Sequence, residues 1–162
     1  MSSVYISDTN IWIDFRNAGL LSTLFALPFD LCCTDFVLTE LDDFDHDELM
    51  RLGLIVQEMN EAAIDQLGAL SSEHNNSSLA DVSCYFLAKE TGNRLLTGDG
   101  QLRKQAARDG LRVHGALWLL DQMLAEGVIN GPTAHGALTA MLAAGARLPK
   151  AECDLRLAAW LA

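Results

Sequence analysis

Twice in this chain a short run of strand-forming residues ends on an aspartate and opens a helical pattern. The first is Val4-Tyr5-Ile6-Ser7-Asp8-Thr9-Asn10, and the second is Arg94-Leu95-Leu96-Thr97-Gly98-Asp99. Strands that alternate with helices imply a parallel sheet, because parallel neighbours must be joined by a crossover. In an open sheet of this kind ligands gather in the crevice beyond the carboxyl ends of the strands. Asp8 and Asp99 therefore stand where chemistry is done, although each could simply cap the helix that follows it.

The rest of the chain fits the same scheme. Leu31-Cys32-Cys33, Leu54-Ile55-Val56 and Leu111-Arg112-Val113-His114 read as further strands, giving four to five in all. Apolar residues from Ile11 to Phe25 recur at helical spacing, with Gly19 as a break between two short helices. A helix runs through Phe36, Val37, Leu38 and Leu41 after a cap at Thr34 or Asp35, and Asn60 caps another through Ala63, Ile64, Leu67 and Leu70. Residues 72–78 read as a loop. Two last helices open at Pro132 and Pro149. If the first three strands run outward and the chain then jumps back, right-handed crossovers make strands one and four neighbours, with Asp8 and Asp99 flanking the switch point.

Two more acids occupy awkward places. Glu40 lies four residues after Phe36 and three after Val37, on the apolar stripe of its helix. Asp81 follows Ser78 at capping-box spacing, yet shares a side with Cys84, Tyr85 and Ala88 on a helix that is apolar almost all round. Both are expected near the same rim, at helix starts. The acidic run Asp43-x-Asp45-x-Asp47 is not a calcium loop, since Glu48 and Leu54 stand where glycine and glutamate are needed. It reads as a solvated turn.

Bulk composition narrows the class. A chain of 162 residues, half of them apolar, suffices for a single domain over 1–162, of which about 115–162 is a helical C-terminal part. No leader pattern or long apolar span is visible, so a cytoplasmic protein with no membrane association is expected. Cys32, Cys33, Cys84 and Cys153 lack metal or redox spacing and read as buried thiols. The four histidines show no ligand spacing either. A net charge of −11 argues against a phosphate partner, but Arg103, Lys104, Arg108 and Arg112 concentrate cations just after Asp99. That cluster is either a solvated helix face or a nucleic-acid contact.

Four carboxylates drawn together repel one another, and hard divalent cations such as Mg²⁺ or Mn²⁺ resolve the repulsion. Such ions activate water and stabilise the oxygens of a phosphodiester under attack. Ile6-Ser7-Asp8-Thr9-Asn10, Leu38-Thr39-Glu40-Leu41, Ser78-Leu79-Ala80-Asp81 and Leu96-Thr97-Gly98-Asp99 with Arg103 beyond resemble, in order and spacing, the motifs of PIN-domain proteins. The resemblance runs from about residue 3 to Glu126. The region from Gly115 to Leu148 also resembles a bacterial subgroup found beside small antitoxin-type proteins.

The resemblance implies a three-layer α/β/α fold of strand order 3-2-1-4-5 and a Mg²⁺ or Mn²⁺ site built by Asp8, Glu40, Asp81 and Asp99 as catalytic, metal-binding acids. It implies an endoribonuclease of the VapC toxin type acting on RNA, with a small antitoxin protein as partner and a homo-oligomeric assembly. Asn10 and Thr97 are candidates to support the metal-binding acids by hydrogen bonds, and Arg103 and Lys104 to meet the RNA backbone. The apolar helices around Leu142 and Trp160 read as core first, and otherwise as a dimer or partner surface. Two rivals remain: a PIN-like module that binds a protein and cleaves nothing, and a phosphatase with Asp8 as nucleophile, which Asn10 disfavours because it cannot serve as the second acid.

Overall fold

A computed structural model describes residues 3–66 and 78–161. Its sheet has five strands, all parallel, in the order β3-β2-β1-β4-β5. They are β1 (Val4–Ser7), β2 (Asp30–Thr34), β3 (Ile55–Gln57), β4 (Arg94–Leu96) and β5 (Val113–His114). The jump from β3 back to β4 is the switch point expected from the sequence. It places β4 beside β1 with Ile6 opposite Leu95 and Ser7 opposite Leu96.

The helices are α1 (Thr9–Asn17), α2 (Leu21–Leu24), α3 (Asp35–Glu40), α4 (His46–Leu52), α5 (Leu79–Thr91), α6 (Gly100–Arg108), α7 (Ala116–Ala125), α8 (Gly131–Ala143) and α9 (Lys150–Trp160). A further helical stretch covers 61–66, where the Asn60 side chain accepts from the Ala63 N–H at 2.8 Å. The expected positions Leu67 and Leu70 of that helix, and 72–77 of the expected loop, lie outside the described residues. Helix α5 lies across β1, β2 and β4, while α1 packs with α7 and α8, so the sheet is covered on both faces. Strands buried in this way carry near-continuous apolar runs, which is why β1 and β2 are buried from Tyr5 to Ser7 and from Leu31 to Thr34.

Trp12, Phe15, Ile6, Leu24, Leu95, Tyr85 and Met141 belong to one core that reaches from the sheet into the C-terminal helices. Thus the helices after β5 are part of the domain core, although Leu155 and Leu161 stay exposed. Gly19 takes φ +73°, in the left-handed region that favours glycine, and ends α1 as the sequence suggested. The four cysteines are free and buried. Among the described residues no helix is long and apolar enough to cross a membrane.

One sequence expectation fails in detail. Glu40 is the last residue of α3, not at a helix start, and it is exposed rather than set in an apolar stripe. Val37 and Leu41 take the buried side of this short segment, and Glu40 falls outside it.

Two glycines of α8 predict opposite effects on stability. A Cβ at Gly131 would run into the Trp160 backbone where α8 meets α9, whereas at Gly136 nothing lies within 4 Å. Gly131→Ala is expected to lower stability by ~1–3 kcal/mol through overpacking. Gly136→Ala is expected to raise it by ~0.5–1 kcal/mol through the lost flexibility of the unfolded chain. Thermal melts of both variants, shifted in opposite directions, check the pairing of α8 with α9.

Candidate active site

Asp8 sits at the end of β1 with no exposed surface, and its two oxygens have different work. Oδ1 accepts the Ile11 N–H at 3.1 Å and so caps α1. Oδ2 accepts the Thr97 hydroxyl at 2.6 Å and the Gly98 N–H at 3.3 Å, both from the end of β4. Capping and the site are therefore one arrangement. Burial first, and then the charge of Asp81, together push the Asp8 carboxyl up to about 7 against the lowering effect of Thr97, Ile11 and Gly98.

The other acids gather at the same rim. Ser78 caps α5 by accepting the Asp81 N–H at 3.1 Å, and this fixes Asp81 in the first turn facing the end of β1. Burial and the charge of Glu40 push Asp81 up to about 6, with Ser78 and the Thr9 N–H acting downward and Asp99 upward. Among the described residues one of its oxygens, Oδ1, is buried without a hydrogen-bond partner. Glu40 reaches the start of α1, where its Oε2 accepts the Thr9 hydroxyl at 2.6 Å. Asp99 caps α6, its Oδ1 accepting the N–H groups of Gln101 and Leu102 at 2.9 and 3.1 Å. Its own N–H donates to Thr97 Oγ1 at 3.1 Å, so a single threonine hydroxyl links Asp99 to Asp8.

A cleft of about 780 Å³ opens onto this rim, lined by Asp81, Asp99 and Asn10 and closed on the far side by the 144–148 segment. Asn10 is exposed on the cleft wall and makes no hydrogen bond to the acids among the described residues, unlike Thr97. Arg103 and Lys104 are both exposed on α6, and Lys104 lines neither this cleft nor the groove beside it.

Three residues of this neighbourhood escaped the sequence reading. Thr9 orients Glu40. Asp14 lines the cleft one turn beyond Asn10 and burial pushes it up to about 6. Arg147 arrives from the segment between α8 and α9, more than a hundred residues from Asp8 along the chain. The Asn10, Asp14, Asn17 spacing marks a polar stripe on α1 that could have pointed to the wall, since such residues share one helix face.

Among the described residues, no three His, Cys, Asp or Glu side chains converge closely enough to hold a metal ion. The donor set nevertheless fits a hard divalent cation. All four acids offer oxygen, the ligand that Mg²⁺ and Mn²⁺ prefer, and Asp81 Oδ1 is a buried acceptor left unsatisfied among the described residues.

A parallel 3-2-1-4-5 sheet with acids at the carboxyl ends of β1 and β4 and on flanking helices defines a class of α/β domain. Residues 4–160 match the family model described as DUF3368: PIN domain, and the chain belongs to the PIN-domain family. PIN domains are typically nucleases and generally use divalent metals. The fold is similar to that of a PilT N-terminus domain protein, SSO1118, from the archaeon Sulfolobus solfataricus P2. That match has a TM-score of 0.52 and 14% identity and covers 75% of this chain and 93% of the other. No curated protein matches the chain.

The raised carboxyls fix the sign of a pH effect. Asp81 and Asp8 ordinarily titrate near 3.8 and here near 6 and 7, so between these values the folded chain binds more protons than the unfolded one. The stability this confers is complete below the ordinary value and is lost as pH rises through the folded values. In EDTA, Asp81→Asn is expected to gain on the wild type as pH rises from about 4 to 7.5, by ~1–2 kcal/mol or a few degrees in melting temperature. Mn²⁺ should raise the melting temperature of the wild type and not of the variant. A difference between the two proteins that does not change with pH would contradict the burial of this charge.

Proposed function

We propose that the protein is a metal-dependent endoribonuclease that hydrolyses RNA phosphodiesters and acts as the toxin of a toxin and antitoxin pair. The observation that carries the reading is the placement of the buried acids Asp8 and Asp81, with Glu40 and Asp99 near Asp81, at one rim of a PIN domain. These four would hold Mg²⁺ or Mn²⁺. Such a cation would supply positive charge to offset the carboxylates and the phosphate and would favour an activated water at neutral pH.

The chain's own residues prepare that site. Thr97 and the Gly98 N–H keep Asp8 in one orientation and favour its ionised form. The Thr9 hydroxyl aims Glu40, while the Thr9 N–H at the start of α1 favours ionised Asp81. Arg103 and Lys104, exposed on α6 next to Asp99, supply cations for the RNA backbone. The family's outcome would be a 5′-phosphate and a 3′-hydroxyl.

The net charge of −11 suits a small basic antitoxin as the partner, and the exposed Leu155 and Leu161 offer apolar contact for it or for a second copy of the chain. A non-catalytic, protein-binding module is the second reading. What favours it is that both Asp8 oxygens already have donors within the fold and that, among the described residues, no three acids lie close enough together to hold a metal ion.

Purified protein with Mn²⁺ or Mg²⁺ is expected to cut RNA, and Asp8→Asn and Asp99→Asn to lose at least ~10–100-fold, the loss seen even when a group supporting a metal ligand is removed. Equal cleavage by all three would mean a contaminant, and no cleavage by any would favour the binding module. Exchanging Arg103 and Lys104 together for glutamine should reduce the salt dependence of RNA binding by ~1–2 in log–log slope. An unchanged slope would remove them from the RNA contact.

A further inference from the structure

A second groove of about 740 Å³ runs beside the acid cleft, over the ends of β4 and β5, and shares Gly98, Gly100 and the 146–148 segment with it. The two are lined differently. Where the first is acidic, the second has three arginines, Arg103, Arg147 and Arg156, against one acid, Glu152, in a chain of net charge −11. Arg156 is already committed: it donates to the Asp121 carboxylate at 2.7–3.1 Å. Arg103 and Arg147 form no salt bridge among the described residues.

Arg103 is seated by the lack of a side chain at Gly115, where a Cβ would stand 3.3 Å from its Nη1 and 3.6 Å from the Thr97 carbonyl. Its guanidinium thus lies over Gly115 and lines the groove near the carbonyl of the threonine that holds Asp8. Arg147 lies on the wall common to both spaces. The remaining wall carries His114 stacked on Trp118, with ring centroids 3.9 Å apart and planes 13° from parallel. The positive field is felt inside it: burial lowers the His114 pKa first, and Arg94, Arg103 and Arg112 lower it further, which keeps the ring neutral. Two guanidiniums with no salt bridge among the described residues, beside an aromatic wall, match the phosphate and the base of an unpaired nucleotide.

We propose that this groove is a subsite for one unpaired nucleotide of single-stranded RNA next to the scissile bond, with Arg103 and Arg147 on its phosphate and the His114–Trp118 stack against its base. The proposal rests on the ribonuclease reading for the identity of the strand. It deepens that reading by assigning Arg103, Arg147, His114 and Trp118 to the nucleotide beside the scissile bond, whose base reaches a side wall only when unpaired. Arg147, from the C-terminal segment, then spans the two spaces and sets the phosphate over the acidic rim.

The test is binding of a short fluorescent single-stranded RNA, read by anisotropy in the presence of Mn²⁺, to Asp81→Asn protein, in which hydrolysis is suppressed. Arg147→Gln is expected to weaken binding roughly tenfold and to lower the salt slope by about 0.7 for the lost phosphate contact, with Arg147→Lys recovering most of the affinity. Moving one abasic nucleotide along the strand should reveal a single position where loss of the base costs roughly tenfold. Trp118→Leu, with its folding checked by thermal melting, should make that position indifferent.

Full affinity in Arg147→Gln, an abasic profile that Trp118→Leu leaves unchanged, or equal binding of duplex RNA would overturn the subsite. Failure of the nuclease reading is separable. If wild-type protein cuts no RNA while Arg147→Gln and the abasic scan behave as expected, the groove stands and the catalysis falls; if RNA is cut and both are silent, the reverse holds.

Discussion

The bond between Asp8 and Thr97 is the constraint around which the domain is arranged. It joins β1 to β4 across the switch point, the one place in the sheet where the chain reverses its direction of winding. A carboxylate without exposed surface is costly unless its oxygens are occupied, and here the donors come from α1, from the β4 end and from the loop leaving it. The start of α1 and the distant end of β4 are thereby fixed to one group. Thr97 in turn receives the Asp99 N–H, so the start of α6 is tied to the same point.

That arrangement concentrates negative charge instead of dispersing it. Asp8 feels Asp81, and Asp81 feels Glu40 and Asp99, with burial as the larger cause of the upward shift in both. The divalent cation proposed for this rim would replace like-charge repulsion by attraction. Overall acidity therefore says little about the ligand of the cleft. What matters is that cations stand next to the acids, Arg103 over Gly115 and Arg147 at the edge of the 144–148 segment. The C-terminal helices contribute twice, filling the core through Met141 and Leu138 and walling the cleft through the loop between them.

Much of this was legible in the chain because local and global signals agree. Strand, acid and helix occur in that order at both Asp8 and Asp99, and right-handed crossovers leave few topologies that bring two such ends together. Asp81 was legible because its helix has no polar face to receive it. Glu40 was placed near the site for an incomplete reason: the apolar spacing around Phe36 and Val37 suggested burial, but α3 ends at Glu40, and what brings it to the rim is the Thr9 hydroxyl. No periodicity encodes a side chain that reaches across from another element. The same holds for Asp14 and Arg147, whose surroundings are made by contact between α1 and a loop more than a hundred residues away. β2 and β3 begin or end a residue or two from where the apolar runs suggested, since pairing with β1 and β2 decides their extent.

The most direct measurement is an anomalous difference map from crystals of the wild-type protein soaked in Mn²⁺. A manganese peak with carboxylate oxygens of Asp8, Asp81 and Asp99 among its ligands, at distances suited to a hard divalent ion, is the result this account predicts. Saturating Mn²⁺ with no peak in the cleft, or a peak held only by surface acids such as Asp45 and Glu48, would contradict it.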